Sequence, residues 1–126
     1  MKEFYTWLEF DSDVRKIERW AKKQKIKNIF GVPRGGLPSA VSLSHQLGLP
    51  MVWDKNKITA ETLVVDDISD SGKTLKRLLG RKKAKVATLY FEKLSKFKPD
   101  FYCRIKKEWV VFPWETKHSS KYDKTV

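Results

Sequence analysis

Residues 63 to 74 read Leu-Val-Val-Asp-Asp-Ile-Ser-Asp-Ser-Gly-Lys-Thr, an apolar run that ends in two adjacent carboxylates and continues into a short polar turn. The apolar run is typical of a buried strand in a parallel sheet. The turn Ser71–Thr74 suits a loop whose backbone N–H groups, together with the start of a helix, bind a phosphate. In an open α/β sheet, ligands bind at the carboxyl ends of the strands. The stretch therefore predicts a parallel α/β sheet with a site for a ligand that carries a phosphate and either hydroxyl groups or a metal ion.

Two other interpretations explain less of the same stretch. Gly72–Thr74 match the end of a P-loop, but that motif needs a glycine five positions before Gly72, and Asp67 stands there. The charge of Asp67 would repel the triphosphate that a P-loop wraps. In a purely structural role, Asp70 or Ser71 would cap the following helix. Capping leaves two adjacent carboxylates without a cation or hydroxyl partner, and that arrangement lowers stability.

A second strand-to-helix junction precedes this stretch. Residues 28–32 predict a short buried strand, and residues 37–47 predict a helix that ends at Gly48. The turn between them, residues 33–36, is Pro-Arg-Gly-Gly. Its glycines would let an anion approach the backbone, and the guanidinium of Arg34 can donate to two phosphate oxygens. A tight turn with a surface arginine is the commoner explanation of Arg-Gly-Gly taken alone, but its place one strand-helix unit before the acidic stretch favours a second anion site.

The rest of the pattern predicts an open, mostly parallel twisted sheet flanked by helices. An amphipathic helix is expected over residues 11–25 with its cap at residues 11–13, and another near 72–80. Strands are expected near residues 28–32, 50–53, 62–66, 85–91 and 100–105. This alternation is typical of a parallel α/β fold. One domain is expected over residues 1–115, followed by a polar, aperiodic tail over residues 116–126.

These motifs resemble those of type I phosphoribosyltransferases, whose substrate is phosphoribosyl pyrophosphate (PRPP). Residues 63–74 follow the family's PRPP signature: a strand, two acidic residues, two intervening residues, Asp, a small hydroxyl residue, Gly, one residue and Thr. The resemblance implies that Asp66 and Asp67 bind the ribose hydroxyls and help to hold Mg2+. It implies that Asp70 is the general base or hydrogen-bond acceptor near the purine N7. The PRPP-binding segment that it implies, including the amides for the 5′-phosphate, is Asp66, Asp67, Ile68, Ser69, Asp70, Ser71, Gly72, Lys73 and Thr74.

The turn at residues 33–36 resembles the pyrophosphate loop of the same family. In that loop a strained, often cis, non-proline peptide directs backbone amides at the leaving group, so the Pro33–Arg34 bond is expected to be cis. By resemblance, Arg34 and the amides of Gly35 and Gly36 hold the departing pyrophosphate. Arg34 would then be a catalytic residue together with Asp70.

The C-terminal third resembles the purine branch of the family, most closely the xanthine-guanine phosphoribosyltransferases. A strand over residues 86–91 precedes Lys93, while Trp109 and Val110 come shortly before a Pro-Trp-acid sequence. The resemblance implies that Lys93 contacts the exocyclic oxygen at C6, that Trp109 stacks on the purine and that the backbone around Val110 binds its edge. Glu92 adds one residue to the family pattern, so Lys93 is either displaced or held by a bulged strand end. Apart from the resemblance, Trp109 fits a packing role as well.

The connection between the second and third predicted strands departs from the family. Type I enzymes carry there a long flexible loop, the hood, that closes over PRPP, whereas only residues 54–61 are available in this chain. A connection of this length forms a tight turn rather than a flap. Because closure excludes water during the transfer, its loss is expected to lower the rate or to permit PRPP hydrolysis.

Two functions are compatible with these features. The first is Mg2+-dependent transfer of a phosphoribosyl group from PRPP to guanine, xanthine or hypoxanthine, in purine salvage. The second is a non-catalytic regulator of the same fold that binds PRPP or a nucleotide. A pure phosphate binder has no need of an acid and an aromatic stacker at the base position, so the presence of Asp70, Arg34 and Trp109 favours the enzyme.

Composition indicates the compartment in which the protein is expected and the kinds of site that are improbable. No apolar run approaches the roughly 20 residues of a membrane span, and the N-terminus does not resemble a signal peptide. The single cysteine, Cys103, cannot form an intrachain disulfide and fits a reducing cytoplasm. With two histidines and no cysteine pair, the chain has a poor set of ligands for structural zinc.

The net charge is +12, from 27 Lys and Arg against 15 Asp and Glu. The basic residues cluster after two predicted helices, where cations are favourable, rather than along one groove. The charge therefore argues against specific nucleic-acid binding, while it would attract an anion such as PRPP. The expected partners are PRPP, a purine base and further copies of the chain, because the family is usually dimeric or tetrameric.

Overall fold

The computed structural model describes residues 1–119, in which strands and helices alternate. In chain order the elements are β1 (Lys2–Phe4), α1 (Trp7–Ala21), β2 (Asn28–Gly31), α2 (Leu37–Leu47), β3 (Thr62–Ser69), α3 (Lys73–Leu79), β4 (Lys85–Phe91), β5 (Phe101–Ile105) and β6 (Trp109–Val111). A 3-10 turn at Lys55–Lys57 lies between α2 and β3.

The main sheet has four strands in the spatial order β2-β3-β4-β5, and each of its pairings is parallel. Its register places Phe30 opposite Val64, and Val64 opposite Val86. A separate parallel pair joins β1 to β6, with Glu3 opposite Val110. The expected open parallel sheet flanked by helices is therefore confirmed. Since parallel strands end at one edge of a sheet, the turns after β2 and β3 are brought together there.

Side chains of the main sheet alternate between two buried layers. Val65 and Leu89 pack on the side covered by α1 and α2. Val64 and Val86 pack on the other side, against Leu75 of α3. Both faces of β3 are thus covered, which explains why its sequence is a continuous apolar run. Full burial of each such side chain contributes about 1.5–3 kcal/mol.

The first helix begins and ends earlier than the sequence pattern suggested. It spans Trp7–Ala21 rather than residues 11–25, and the cap predicted at residues 11–13 is wrong. Thr6 is the cap: its hydroxyl accepts from the Glu9 N–H at 3.1 Å, and the Glu9 carboxylate accepts from the Thr6 N–H at 3.0 Å. This reciprocal capping box satisfies two backbone donors, so it outcompetes the acidic residues farther along.

Charged hydrogen bonds tie β5 to α1. Arg104 Nε donates to Asp13 Oδ2 at 2.6 Å, and Arg104 Nη1 donates to a Glu9 carboxylate oxygen at 3.2 Å. Asp13 is fully buried and also accepts from the Tyr5 hydroxyl at 2.6 Å. A buried charge is tolerated when it is paired in this way. These contacts fix the carboxyl end of β5, close to Lys106.

Two further segments differ from the expected strands. The strand predicted at residues 50–53 is wrong, because the chain there makes only an isolated bridge between Met51 and Ile29. Pro50 has no N–H to donate to a ladder, which weakens pairing at this point. β3 continues to Ser69 instead of ending with the acidic pair, since its pairing with β4 extends past both carboxylates. The three-residue strands β1 and β6 were not expected.

Residues 54–61 form a compact connection, which confirms the shortened hood. The Asp54 carboxylate accepts from the Asn56 N–H at 2.9 Å and caps the 3-10 turn, while Ile58 is buried in the core on the α3 side. Lys82 Nζ donates to the Lys55 carbonyl oxygen at 2.6 Å and holds the turn against the body of the protein. Within residues 1–119, none of the helices has the length and apolar character needed to cross a membrane.

Candidate active site

A cavity of about 810 Å3 opens at the carboxyl ends of β2 and β3, a volume suited to a ligand of nucleotide size. Its wall combines residues from all three motifs identified in the sequence, namely Arg34, Gly35, Asp66, Asp67, Ile68, Asp70, Thr74, Trp109 and Val110. The other predicted site residues lie outside this wall: Gly36, Ser69, Ser71, Gly72, Lys73 and Lys93. No residue of the 54–61 connection lines the cavity.

The acidic pair is oriented by its own backbone. Asp66 Oδ1 accepts from the Asp67 N–H and Asp67 Oδ1 accepts from the Ile68 N–H, each at 2.8 Å. Burial raises the pKa of Asp66 well above its ordinary value, and the charge of Asp67 adds to the rise. Burial also raises the pKa of Asp67 to about 6, and the negative charge of Glu115 contributes. Both carboxylates therefore lie where negative charge is unfavourable until a cation or a set of donors arrives.

The acidic pair fits a hard divalent cation. Within residues 1–119 neither carboxylate forms a salt bridge with a lysine or arginine. The same residues contain no cluster of three or more His, Cys, Asp or Glu that could hold a metal ion. Proteins usually hold Mg2+ through one or two carboxylates, with water and substrate oxygens completing the octahedron. The two carboxylates therefore offer oxygen ligands of the kind that such a cation takes.

The turn after β2 packs directly on β3. The Pro33–Arg34 peptide bond is cis, which confirms the expectation. A Cβ added to Gly35 would lie 2.1 Å from Asp67 Oδ2, and one added to Gly36 would lie 2.3 Å from the Val65 carbonyl oxygen. Side chains at these two positions would displace the acidic pair or the strand that carries it. Glycine is therefore required for the close approach of the turn to the carboxylates.

Arg34 is exposed at the cavity wall, where its guanidinium donates to the Ser119 carbonyl oxygen. Ser119 belongs to a turn in which its hydroxyl accepts from the Thr116 N–H at 2.6 Å. The first residues of the predicted tail therefore contact the site. Residues 120–126 of that tail lie outside the described residues.

The loop between β3 and α3 is supported by the segment that follows β4. The Lys96 N–H donates to the Ser71 carbonyl oxygen at 2.9 Å, and the Ser69 hydroxyl donates to the Phe97 carbonyl oxygen at 2.7 Å. Gly72 has a left-handed backbone, with φ of 82°, and a Cβ added there would lie 2.5 Å from the Phe97 nitrogen. The loop is thus held in one shape by its neighbours.

The cavity wall also carries an exposed indole and a carboxylate that share one lysine neighbour. Trp109 is 61% exposed, and Val110 beside it is buried. Lys106 contacts both groups: its Nζ is 2.9 Å from Asp70 Oδ1 and 5.3 Å from the centroid of the Trp109 ring. Lys93 is exposed in the connection after β4. The lysine that the structure brings to Asp70 and Trp109 is therefore Lys106.

Sequence reasoning missed several residues of the wall. Nothing in the sequence distinguishes Lys106 as a site residue, because the chain contains 27 Lys and Arg and the next residue is another lysine. Trp7 and Phe10 of α1 also line the cavity, together with Trp114. The three rings are mutual neighbours, with centroids 5.5 to 5.8 Å apart. Only the packing of α1 against the C-terminal segment brings them to the site.

Comparisons with known proteins agree with this geometry. Residues 55–121 match the family model described as the phosphoribosyl transferase domain. A xanthine-guanine phosphoribosyltransferase from Idiomarina loihiensis is 30% identical over 138 residues, covering 89% of this chain and 86% of the relative. The structure of a purine phosphoribosyltransferase from Pyrococcus horikoshii matches with a TM-score of 0.78 at 33% identity, over 91% of this chain and 95% of that one. A Helicobacter pylori xanthine-guanine-hypoxanthine phosphoribosyltransferase shares the fold, with a TM-score of 0.80 at 23% identity over 96% and 97% of the two chains.

Proposed function

Since this chain belongs to the phosphoribosyltransferase family, we propose that it transfers a phosphoribosyl group from PRPP to a 6-oxopurine base in purine salvage. The products would be the nucleoside 5′-monophosphate and pyrophosphate. The observation that carries the proposal is that three separate segments of the chain, which contribute Arg34, Asp67 with Asp70, and Trp109, line one cavity. A phosphate, a ribose and a base can therefore be bound side by side.

The PRPP end of the site is supported by the two turns at the sheet edge. Asp66 and Asp67 would accept hydrogen bonds from the ribose hydroxyls. Arg34, with the amide of Gly35, would bind the pyrophosphate, and the loop from Ser71 to Thr74 would bind the 5′-phosphate. The expected contribution of Gly36 is not proposed again, because its N–H donates to the Val32 carbonyl oxygen at 2.8 Å. A guanidinium fixed beside the leaving group stabilises the charge that develops there, an effect worth more in a water-poor cavity than in bulk solvent.

Mg2+ would be held by Asp67 and Asp66, and when bound it would neutralise charge on the pyrophosphate oxygens. Burial of these carboxylates supports this assignment, because their raised pKa values mark them as short of positive charge. The chain's own contribution is to hold two neighbouring carboxylates at the cavity wall through backbone hydrogen bonds.

The reaction breaks the bond between C1′ and the pyrophosphate oxygen and forms a bond between C1′ and N9 of the base. The base loses a proton, which Asp70 would accept from N7. General base help of this kind contributes about 10²–10⁴-fold to a rate. Trp109 would stack on the purine, and the backbone around Val110 would bind its edge. Guanine, xanthine and hypoxanthine share these contacts, since they differ at C2.

A regulator that binds PRPP or a nucleotide without turnover is the second candidate, and the shortened hood is the observation that favours it. The 54–61 connection does not reach the cavity wall, so no loop of this segment excludes water there.

For the enzyme we propose a cytoplasmic location, because the lone Cys103 suits a reducing compartment. We also propose that it forms a homo-oligomer, because the family usually does.

The test is to mix the protein with Mg2+, PRPP and each of guanine, xanthine and hypoxanthine, and to follow pyrophosphate release. Release that depends on the base supports the enzyme. PRPP binding by calorimetry with no base-dependent release for any of the three bases would favour the regulator. Omitting Mg2+, or adding a chelator, is expected to abolish release.

A further inference from the structure

The segment that contains α3 and the start of β4 is strongly basic. Between residues 71 and 91 the chain has no acidic residue. None of the cations in this segment forms a salt bridge within residues 1–119. Mutual repulsion of unpaired like charges opposes folding. The cations of the segment are Lys73, Lys76, Arg77, Arg81, Lys82, Lys83 and Lys85.

The fold brings further positive charge to this segment from the 54–61 connection. Lys82 Nζ donates to the Lys55 carbonyl oxygen at 2.6 Å, so the 3-10 turn lies against the chain that follows α3. The C-terminal end of a helix carries roughly −0.5 elementary charge, and Asp54 beside the turn adds one negative charge, which together do not balance four cations. The cations that line an open depression of about 560 Å3 at this point are Lys55, Arg77, Arg81 and Lys82.

An exposed indole lies close to the depression. Trp53 is 71% exposed, and within residues 1–119 its ring contacts neither another aromatic ring nor a cation. It precedes Lys55 by two residues, so the two Cα atoms are at most about 7 Å apart. An indole left in water forgoes the stabilisation that burial gives. An exposed ring beside cations is the combination that binds single-stranded nucleic acid.

We infer that this basic surface, formed by Trp53, Lys55, Arg77, Arg81 and Lys82, binds single-stranded nucleic acid. The cations pair with its phosphates, and one base stacks on the indole. Such contacts are independent of sequence, which agrees with the argument against specific nucleic-acid recognition. The inference goes beyond the proposed function. None of the five residues lines the cavity, so the two ligands bind at separate places.

The indole decides the class of polyanion. An acidic protein segment can pair with the cations through carboxylates, but it has no flat bases to lie on the ring of Trp53. In a duplex the bases are stacked on each other and are not free to lie on a side chain. A single strand supplies both phosphates and an unstacked base, so it matches every group of the surface.

The first test measures the salt dependence of binding by fluorescence anisotropy, with a labelled oligouridylate of about 12 nucleotides. Each phosphate contact to a single strand contributes a slope of about −0.7 in log K against log salt. Four contacts therefore predict a slope of about −3. The double variant Arg77→Gln with Arg81→Gln should reduce it to about −1.5.

The matched control removes the same charge from the other side of the main sheet. Lys23→Gln with Lys25→Gln changes two exposed lysines just after α1, which packs on the opposite face from α3. This control should keep the wild-type slope. Equal slopes in the two double variants would show that overall charge, and not the basic surface, binds the strand, and would overturn the inference.

The second test removes the ring. Trp53→Ala should weaken binding of the oligouridylate about 5–150-fold, the usual effect of losing one base–aromatic stack, and should leave the salt slope unchanged. Phe4→Ala is the control, since Phe4 is 69% exposed on β1, and it should keep the wild-type affinity. Thermal melts of each variant check that it is folded under the binding conditions.

Two competitors separate the inference from its rivals. Polyglutamate of the same length should displace the strand only weakly, because it cannot stack on Trp53. Equal affinity for polyglutamate, with no effect of Trp53→Ala, would indicate an acidic protein partner and would overturn the inference. Saturating PRPP with Mg2+ should leave the strand bound. Displacement by PRPP would place the strand in the cavity, which would also overturn the inference.

Discussion

Asp70 is the residue at which the proposed chemistry and the base site meet. Replacing it with asparagine keeps an oxygen for the contact to Lys106 but removes the ability to take a proton. We expect Asp70→Asn to lower kcat by about 10²–10⁴-fold and to leave PRPP affinity nearly unchanged, because asparagine has the same size and keeps a hydrogen-bonding oxygen. Steady-state kinetics and PRPP calorimetry measure the two quantities. An unchanged kcat would show that Asp70 is not the base.

Asp67 is expected to reduce stability in the unliganded protein. Its pKa rises from 3.8 to about 6 on folding, mainly through burial. Between these values the folded state binds more protons than the unfolded state, so this contribution to stability decreases as pH rises through the window and stays lost above it. Asp67→Asn should therefore stabilise the unliganded protein at pH 7.5, on the order of 1 kcal/mol, with little effect near pH 4.

Thermal melts across this pH range, with and without Mg2+ and PRPP, measure the effect. The Asp67→Asn variant should melt higher alone but lose the rise in Tm that Mg2+ with PRPP gives the wild type. Asp11→Asn, at an exposed position of α1, is the control and should show no gain. A lower Tm for Asp67→Asn at pH 7.5 would contradict the raised pKa.

At the scale of elements, the loop between β3 and α3 depends on one glycine. Both Gly72 and Gly48 have positive φ, so alanine at either position costs about 1–2 kcal/mol of backbone strain. A Cβ at Gly72 would also collide with the Phe97 nitrogen at 2.5 Å, whereas nothing lies within 4 Å of one at Gly48. Gly72→Ala should therefore lose more stability in urea than Gly48→Ala, and it alone should weaken PRPP binding. Equal PRPP affinity in the two variants would mean that the loop does not bind the phosphate.

The bounds of some helices and strands can be predicted from local sequence patterns, and those of others cannot. The helix α2 has the bounds that its sequence predicted, since Gly48 ends it in a left-handed conformation. The start of α1 was misplaced because acidic residues at 11–13 resemble a cap, although Thr6 and Glu9 form the stronger box. The strands β1 and β6 are three residues each and exist through pairing with each other across most of the chain. Such short strands carry no local signal of their own.

At the scale of the whole molecule, the shortened hood should affect the fate of PRPP. Water can reach a bound PRPP that the 54–61 connection does not cover, so we expect measurable hydrolysis of PRPP with Mg2+ when no base is present. Release of pyrophosphate without a base, compared with an Asp67→Asn control, measures it. Complete dependence on the base would indicate that another part of the protein closes the site.

The parallel sheet, the acidic pair and the Arg-Gly-Gly turn could be predicted from residues that are neighbours along the chain, whereas the cis peptide was expected only from the resemblance to the family. Apolar runs, glycines and adjacent carboxylates can be recognised within a short stretch of sequence. Tertiary structure alone decided that Lys106 rather than Lys93 meets Asp70 and Trp109, and that Trp7 and Phe10 line the cavity. These contacts join segments that are distant in sequence. The local sequence does not indicate which of the many lysines lies at the cavity. The position of β5, fixed by Arg104 against α1, supplies that information.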